Sequence, residues 1–304
     1  MWSSRSVSPG RRPEYARTRR SSLNGLKSSD IIKCTVCARE CRLQEGQTGA
    51  CGARKAEQGS VICANYGRIT SLALDPIEKK PLARFLPGSR ILSCGSYGCN
   101  LRCPFCQNYE ISMAGETGVP WREISPEELC KMAMSLRPER NTGVAFTYNE
   151  PLISFEFLLD TAKLLHRDGM KAVLVSNGSV SREIAERVIP EIDAMNIDLK
   201  CFSEEGYRML GGDFQQTLDF IEIAADSRTH LELTTLIVPG LNDTEEMMEA
   251  EARWIAAMDP EIPLHVTRCF PRYKVSGRPL ETGRIRRLAE VASGFLSTVL
   301  IGNC

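Results

Sequence analysis

Three cysteines lie within eight residues of this chain, in the sequence Cys99-Asn-Leu-Arg-Cys103-Pro-Phe-Cys106. Thiolates at this C-x3-C-x2-C spacing can all reach one iron–sulfur cluster, but a cubane cluster has four irons and the motif supplies ligands for only three. The fourth iron would stay open to chelation by a small molecule. The spacing therefore favours a [4Fe-4S] cluster that takes part in substrate chemistry over one that only stores electrons.

Two other kinds of metal site could use these thiols. A fourth cysteine would make a closed electron-transfer cluster or a structural zinc site, and Cys94 is the local candidate. Cys94, however, stands in an apolar run that predicts a strand, where a cysteine usually only packs. Zinc sites commonly pair two C-x2-C elements, and within this motif only Cys103 and Cys106 have that spacing. Both alternatives are weaker than the open cluster, and both stay open.

The composition of the chain limits its compartment and its partners. The 304 residues include 13 cysteines, and no apolar run is long enough to cross a bilayer. Basic and acidic residues both number 38, so no net charge attracts nucleic acid or anionic lipid. The first residues have no apolar segment typical of a secretory signal. We therefore expect a cytoplasmic protein with no membrane or nucleic-acid partner, in which grouped cysteines indicate metal.

Changes in composition divide the chain into three parts. Residues 1–30 are rich in serine and arginine and poor in large apolar side chains, which predicts a disordered tail, with an organellar transit peptide as the alternative. Residues 31–87 are rich in turns and cysteines, and we interpret them as a small Cys-rich module. In residues 88–304, β-branched runs alternate with helical stretches, which predicts one α/β domain.

The α/β domain is predicted to contain seven strands separated by helices. The strands are expected at Arg90–Cys94, Gly143–Tyr148, Lys171–Ser176, Ala194–Leu199, His230–Val238, Leu264–Cys269 and Thr298–Ile301. Capping residues and first-turn acids mark two helices, at 126–137 and 244–258. Such β–α units either curl into a partial (β/α) barrel or form an open doubly wound sheet, and the pattern fits both. In either fold, reactive side chains belong at the carboxyl ends of the strands.

Several segments, in the same order along the chain, resemble one family. They are Asp75–Leu82, Leu86–Arg90, Gly98–Asn108, Phe146–Pro151, Met195–Lys200 and Val238–Asn242, and the third of them contains the cysteine motif. They resemble the AmmeMemoRadiSam-system radical S-adenosylmethionine (SAM) enzymes, which are relatives of the pyruvate formate-lyase activating enzymes. The resemblance extends from about Cys34 to Asn303 and implies a TIM-like partial (β/α) barrel of the radical SAM type.

The resemblance also implies a cofactor chemistry. In the radical SAM superfamily three cysteines, here Cys99, Cys103 and Cys106, bind a [4Fe-4S] cluster whose open iron binds the amino and carboxylate groups of SAM. One electron from the reduced cluster breaks a sulfur–carbon bond, and the resulting 5′-deoxyadenosyl radical abstracts hydrogen. The protein holds SAM beside the cluster and shields the radical. The enzyme would therefore need SAM, a one-electron donor and a substrate, and the sequence does not identify the substrate.

The resemblance assigns SAM contacts to residues of the cluster motif and of the strand ends, namely Phe105, Asn149, Glu150, Ser176, Asn177, Asp198, Lys200 and His265. Tyr148 and Asn149 stand where the family has two glycines, so Glu150 is expected to carry more of the contact with the SAM ammonium. Lys200 shares a strand face with Asp198 and resembles the lysine beside the SAM carboxylate.

Each of these assignments has a plainer structural alternative. An acid after a strand can simply begin a helix, and an Asn-Gly pair is a common turn. Opposite charges two residues apart can form an ion pair at a strand end, and an isolated histidine is usually structural. The assignments are therefore expectations that the fold has to support.

A first cysteine group, Cys34, Cys37, Cys41 and Cys51, precedes the α/β domain. It supplies four thiols in a segment too small to be held together by an apolar core. Zinc and an auxiliary iron–sulfur cluster both suit four sulfurs, and free thiols in a loop are the alternative. We expect a second metal site of either kind.

Three functions compete. The preferred hypothesis is a radical SAM enzyme with an unknown substrate. The second is a glycyl-radical activating enzyme, but Thr234 stands where those enzymes carry an arginine, which weakens it. The third is a non-catalytic iron–sulfur or zinc module for electron transfer, which predicts no SAM binding. The genomic pairing in the family name suggests a Memo-like or AMMECR1-like protein as a partner.

Overall fold

The computed structural model describes residues 31–304, and the tail predicted for residues 1–30 lies outside them. The strands of this part of the chain are β1 (Ile32–Lys33), β2 (Arg42–Leu43), β3 (Arg54–Glu57), β4 (Ser60–Cys63), β5 (Arg68–Ile69), β6 (Ser71–Pro76), β7 (Arg90–Gly95), β8 (Arg122–Glu123), β9 (Asn141–Phe146), β10 (Lys171–Ser176), β11 (Ala194–Asp198), β12 (His230–Ile237), β13 (Leu264–Arg268) and β14 (Val299–Gly302).

The α-helices of the same residues are α1 (Tyr109–Ser112), α2 (Pro126–Ser135), α3 (Phe155–Arg167), α4 (Arg182–Val188), α5 (Glu204–Leu210), α6 (Phe214–Ala225), α7 (Glu245–Met258) and α8 (Thr282–Ser293). Short 3-10 helices lie at Ile77–Lys79, Arg137–Glu139, Pro151–Ser154 and Ile189–Glu191. Within residues 31–304, no helix combines the length and the apolar character needed to cross a bilayer.

Eight strands form the central sheet, in the order β14-β13-β12-β11-β10-β9-β7-β6. The seven strands from β7 to β14 are parallel and follow chain order, whereas β6 pairs antiparallel with β7 at the edge. A doubly wound sheet reverses its strand order, but parallel strands in chain order joined by right-handed crossovers carry their helices on one face. The predicted α/β fold is confirmed, and the strand order decides in favour of the partial (β/α) barrel.

The predicted strands are all present, with ends that differ by at most two residues. The largest difference is in β9, which ends at Phe146 because Tyr148 has a left-handed backbone with φ of +72°. Helix α2 ends two residues earlier than predicted, and α7 begins one residue later. Strand β6 was not predicted. It comes from the stretch interpreted as the Cys-rich module, so the sheet uses residues on both sides of position 87.

The side chains of the sheet alternate between two faces. In β7, Leu92 and Cys94 belong to the large apolar cluster beneath the helices, whereas Ile91 packs on the inner face. Cys94 is therefore a packing residue. Ile77 and Leu82, from the segment that follows β6, are fully buried against Ile91 and form an apolar floor inside the barrel.

Candidate active site

The loop between β7 and α1 carries the C-x3-C-x2-C motif, and we call residues 98–106 the cluster loop. Cys103 is buried in an apolar cluster, and Cys99 and Cys106 pack against it. The other buried members of this cluster are Leu101, Phe105, Leu210, Val238 and Cys269. Each of the three thiols lies within electrostatic reach of the other two. Three neighbouring thiols in an apolar surrounding fit an iron–sulfur cluster with one open iron.

Gly98 and Asn149 fix the start of the cluster loop. Gly98 has φ of +91°, and a Cβ there would lie 2.4 Å from the carbonyl oxygen of Cys51, so only glycine fits. The side-chain nitrogen of Asn149 donates to the carbonyl oxygens of Tyr97 (3.2 Å) and Gly98 (3.1 Å). Its Oδ1 accepts from the amide of Ser96 at 2.9 Å. Asn149, expected to contact SAM, thus uses its polar atoms to shape the loop.

Glu150 lies beside the cluster loop and is only 2% exposed. Its carboxylate accepts hydrogen bonds from the amides of Leu152 (2.9 Å) and Asn177 (2.9 Å). The hydroxyl of Ser176 donates a third hydrogen bond, at 2.7 Å. Burial raises the pKa of Glu150, and these neutral donors together with the charge of Lys200 offset the effect only in part. The carboxylate is held in place, and a cation would complete its surroundings.

Asn177 connects Glu150 with the first cysteine of the cluster loop. Its Nδ2 lies 3.8 Å from Cys99 Sγ and donates to Asn100 Oδ1 at 3.0 Å. The side-chain nitrogen of Asn100, Nδ2, in turn donates to the carbonyl oxygen of Ser179. The structure therefore brings the expected residues Asn177, Glu150 and Cys99 together. Asn100 was missed, although its place directly after the first cysteine was a usable signal.

Lys200 and Asp198 form an ion pair on the other side of the cluster loop, with Lys200 Nζ 2.9 Å from Asp198 Oδ2. Burial lowers the pKa of Lys200, but the charge of Asp198, its hydrogen bond with Lys200 and the charges of Cys103 and Cys106 together outweigh burial, so the pKa is raised. The Lys200 ammonium is therefore charged beside the cluster loop. The Lys200 backbone amide donates to the hydroxyl of Tyr207 at 3.2 Å, which fixes its position.

Asn242 also holds Lys200, a role that was not predicted from the sequence. Its Nδ2 donates to the carbonyl oxygens of Lys200 (2.9 Å) and Leu236 (2.9 Å), and its Oδ1 accepts from the amide of Val238. Asn242 ends one of the segments that resemble the family, which was the available signal.

A buried ion pair lies between the cluster loop and the apolar floor. Lys80, 3% exposed, has its Nζ 3.0 Å from Asp75 Oδ2. The same oxygen accepts from the hydroxyls of Tyr148 (2.8 Å) and Ser93 (2.9 Å). The Lys80 ammonium also lies 4.7 Å from the centre of the Tyr148 ring. The segment Asp75–Leu82 thus contributes a polar layer to the inner face of the barrel. This role of the segment was not predicted from the sequence.

His265, expected to contact SAM, has a different partner. Its Nε2 lies 2.6 Å from Oε2 of Glu232, a fully buried carboxylate. Glu232 also accepts from the amides of Ala83 (3.0 Å) and Arg84 (2.8 Å), and His230 Nε2 lies 2.9 Å from it. Since His265 is the second residue of β13, this network lies near the amino end of the strand. The His265 side chain therefore helps to hold the barrel floor in place, and it does not lie among the residues around the cluster loop.

The first cysteine group lies in and after the β1–β2 hairpin, against the cluster loop. The Cys99 amide donates to the carbonyl oxygen of Cys51 at 3.1 Å, so the two cysteine groups touch. Among residues 31–304, no three cysteine, histidine or acidic side chains surround a position the size of a single ion, and this holds for both groups. A cubane cluster is larger than an ion, and its ligands stand correspondingly further apart.

The sequence profile of the radical SAM superfamily matches residues 94–255, which is just over half of the chain and includes the cluster loop, Glu150 and Lys200. The chain belongs to the radical SAM superfamily. As a radical SAM enzyme it uses a [4Fe-4S] cluster to cleave SAM reductively and so generate a radical. The sequence-based hypothesis of an enzyme of this superfamily is thereby confirmed.

Curated relatives include proteins with and without a stated activity. Uncharacterized protein MJ0808 of Methanocaldococcus jannaschii is 34% identical over 276 residues, which cover 90% of this chain and 81% of the relative. The pyruvate formate-lyase-activating enzyme of Clostridium pasteurianum is 29% identical over 154 residues, or 49% of this chain and 62% of that enzyme. Pyruvate formate-lyase 1-activating enzyme of Escherichia coli K12 is 25% identical over 166 residues, which cover 53% of this chain and 65% of that enzyme. The chain spans less than two thirds of both activating enzymes.

Solved structures support the fold. QueE from Escherichia coli has a TM-score of 0.52 at 14% identity, covering 78% of this chain and 93% of QueE. Streptococcus suis SuiB has a TM-score of 0.55 at 12% identity, covering 69% of this chain and 48% of SuiB. At these identities the similarity concerns the barrel alone.

Proposed function

We propose that Cys99, Cys103 and Cys106 are the cluster ligands of this enzyme and that its radical abstracts hydrogen from a substrate held inside the barrel. The observation that carries the proposal is the common apolar surrounding of the three thiols at the carboxyl end of the sheet, with Glu150 and Lys200 beside it. A [4Fe-4S] cluster bound there supplies the electron that cleaves SAM. Phe105 and its apolar neighbours exclude water, which protects a reactive radical.

Glu150 and Lys200 offer opposite charges to the amino acid part of SAM. The buried Glu150 carboxylate accepts from neutral donors only, so the SAM ammonium would be its cationic partner. The charged Lys200 suits the SAM carboxylate, and Asp198 holds Lys200 in place. Ser176, Asn177 and Asn149 act on these groups through the hydrogen bonds described above.

The test is EPR spectroscopy of the anaerobically reconstituted, reduced protein with and without SAM. We expect a cubane signal that shifts on adding SAM, because SAM binds the open iron. The signal should be lost in Cys99→Ala, Cys103→Ala and Cys106→Ala. Cys94→Ala is the matched control: it removes a buried thiol that packs beneath the helices and should leave the signal unchanged. An EPR signal that does not change when SAM is added, or that is lost in Cys94→Ala, would contradict the proposal.

Glycyl-radical activation is the second candidate function, and the similarity to two pyruvate formate-lyase activating enzymes favours it. Thr234 weakens it, because the activating enzymes carry an arginine at this place in the resemblance. Here Thr234 is buried, and its hydroxyl donates to Asn196 Oδ1 at 2.9 Å. Incubation with SAM, a reductant and a glycyl-radical enzyme from the same cell would decide, since activation requires a new radical signal on the partner protein.

Other features of the proposal rest on the resemblance and on composition. We assign the chain to the AmmeMemoRadiSam branch, with a Memo-like or AMMECR1-like protein as partner, and to the cytoplasm. We also retain the division into a tail, a Cys-rich module and a barrel domain, but extend the barrel domain to include β6, since β6 pairs with β7 in its sheet. Affinity capture with Memo-like and AMMECR1-like proteins tests the partner: absence of a complex together with unchanged SAM cleavage would contradict it.

A further inference from the structure

Backbone contacts draw the first cysteine group together. The Cys34 amide donates to the Cys41 carbonyl oxygen at 2.9 Å across the β1–β2 hairpin. The loop that carries Cys51 packs on the same hairpin, since a Cβ on Gly49 would lie 3.5 Å from Cys41 Sγ. Cys37 interacts electrostatically with the other three thiols, and Cys34 does so too. Four thiols that are up to 17 positions apart in sequence thus form one group.

A backbone amide is directed at one of these four sulfurs. The amide of Arg54 lies 3.3 Å from Cys51 Sγ. A neutral thiol is a weak acceptor, whereas a metal-bound thiolate is commonly supported by such hydrogen bonds. The backbone at Cys51 is therefore arranged for a thiolate.

Arg54 supplies a buried positive charge next to the group. Its side chain is 3% exposed and forms two hydrogen bonds with Glu156, at 2.6 and 2.7 Å. The guanidinium also interacts with Cys34 and Cys63, and its Nε has no hydrogen-bond partner among residues 31–304. A buried N–H without an acceptor is costly. Four thiolates around a divalent metal carry a net charge of about −2, which a buried arginine would partly balance.

We propose that the first cysteine group binds a thiolate-ligated metal centre and that this centre fixes the cluster loop. An iron–sulfur cluster suits the spacing of the four thiols, whereas a zinc ion would require them to move closer together. Binding a zinc ion or a preassembled [4Fe-4S] core of charge 2+ releases the four thiol protons to solvent, and no electron is transferred. The short hairpins of residues 31–64 have little core of their own, so a metal is the natural source of rigidity for them.

Two hydrogen bonds connect the centre to the cluster loop. Cys51, a ligand of the proposed centre, accepts through its carbonyl oxygen from the amide of Cys99, a ligand of the catalytic cluster. The side chain of Arg39, two residues after Cys37, donates to the carbonyl oxygen of Asn100 at 2.6 Å. A displaced Cys51 or Arg39 would therefore move the start of the cluster loop. The functional part of this inference rests on the proposed role of Cys99, whereas the metal site itself does not.

Metal analysis of the full-length protein tests the site. After anaerobic reconstitution we expect about four irons per chain for the catalytic cluster, plus either about one zinc or about four further irons. The triple variant Cys99→Ala, Cys103→Ala, Cys106→Ala should lose the first set and keep the second. Failure of the catalytic proposal and failure of this one are thus measured separately. A wild-type protein or triple variant that holds no second metal overturns the inference.

Single substitutions test the coupling. Cys37→Ser should lose the second metal, occupy the catalytic cluster several-fold less and show a weaker SAM-induced shift. Cys130→Ser is the matched control, since the buried Cys130 thiol lies 3.7 Å from the carbonyl oxygen of Thr161, away from both cysteine groups, and it should keep both centres. Loss of the second metal with an unchanged SAM response would overturn the coupling. Should Cys37→Ser not fold, hydrogen exchange of residues 98–102 is measured in the triple variant, which lacks the catalytic cluster, before and after chelation of the second metal. Faster exchange is expected after chelation, and unchanged exchange would overturn the coupling.

Discussion

Two buried glutamates, at opposite ends of the same barrel, have very different surroundings. Glu150, at the carboxyl end, accepts from three neutral donors, and burial raises its pKa. Glu232, near the amino end, is also buried, but the rings of His230 and His265 and two backbone amides hold its pKa down to about 2. Glu232 is fully satisfied by the protein, whereas Glu150 has a charge that the protein compensates only in part.

The difference distinguishes a carboxylate that can receive a ligand from one that holds the fold. Glu232 connects β12 and β13 to the backbone of Ala83 and Arg84, and these hydrogen bonds use all the acceptor capacity of its carboxylate. Glu150 stands beside the cluster loop, where a cationic ligand can still improve its surroundings. In (β/α) barrels, chemistry belongs to the carboxyl ends of the strands and stability to the amino ends, and the two glutamates follow that division.

Glu150→Gln is expected to have the largest effect. Removing the charge should weaken SAM binding by about 100-fold or more, because a buried charge partner is worth roughly 3 kcal/mol. Folding stability should change less than in Glu232→Gln, since the substitution also removes the cost of burying a charge. SAM titration of the reconstituted protein, followed by EPR, measures the first effect and thermal unfolding the second. Unchanged SAM affinity would refute the assigned role of Glu150.

Glu232→Gln should have the opposite profile. It replaces charge-assisted hydrogen bonds, and we expect a loss of roughly 2 to 3 kcal/mol in the free energy of unfolding, with SAM affinity within about threefold of wild type. Urea unfolding at neutral pH measures the loss. A variant that is as stable as wild type but binds SAM poorly would contradict the comparison between the two ends of the barrel.

The contribution of Glu232 should also depend on pH. Its pKa in the folded protein is about 2 and its ordinary value is 4.5, so the unfolded chain binds the proton more tightly. The stabilisation is therefore complete above about pH 4.5 and is lost as the pH falls from there towards 2. The stability difference between wild type and Glu232→Gln should shrink over this interval, which urea titrations at several pH values would show.

Local patterns in the sequence were sufficient for the elements of the barrel and for the cluster loop. Short β-branched runs predicted all seven parallel strands, and the spacing of Cys99, Cys103 and Cys106 is a local property. The order of the strands could not be predicted from local patterns, because packing between segments distant in sequence decides which strands pair. Strand β6 was missed for a related reason: only its pairing with β7 makes a strand of residues 71–76.

Side-chain partners were harder to predict than positions. Asn149 was expected to contact SAM, but its polar atoms bind the backbone at the start of the cluster loop, which no local pattern specifies. The polar layer of Asp75, Lys80 and Tyr148 joins residues as much as 73 positions apart. A motif shows that such residues matter, whereas only the fold shows which other residues they contact.

His265→Ala is expected to have the smallest effect and sharpens the comparison most. The substitution removes one of four donors to Glu232, so the free energy of unfolding should fall by about 1 kcal/mol. His265→Gln, whose amide can still donate to Glu232, should recover much of that stability. SAM affinity should stay within about twofold of wild type in both variants, because the imidazole is turned towards the barrel floor. A SAM affinity reduced more than tenfold in His265→Ala, at nearly unchanged stability, would instead restore the SAM contact expected from the sequence and would make the amino end of β13 part of the active site.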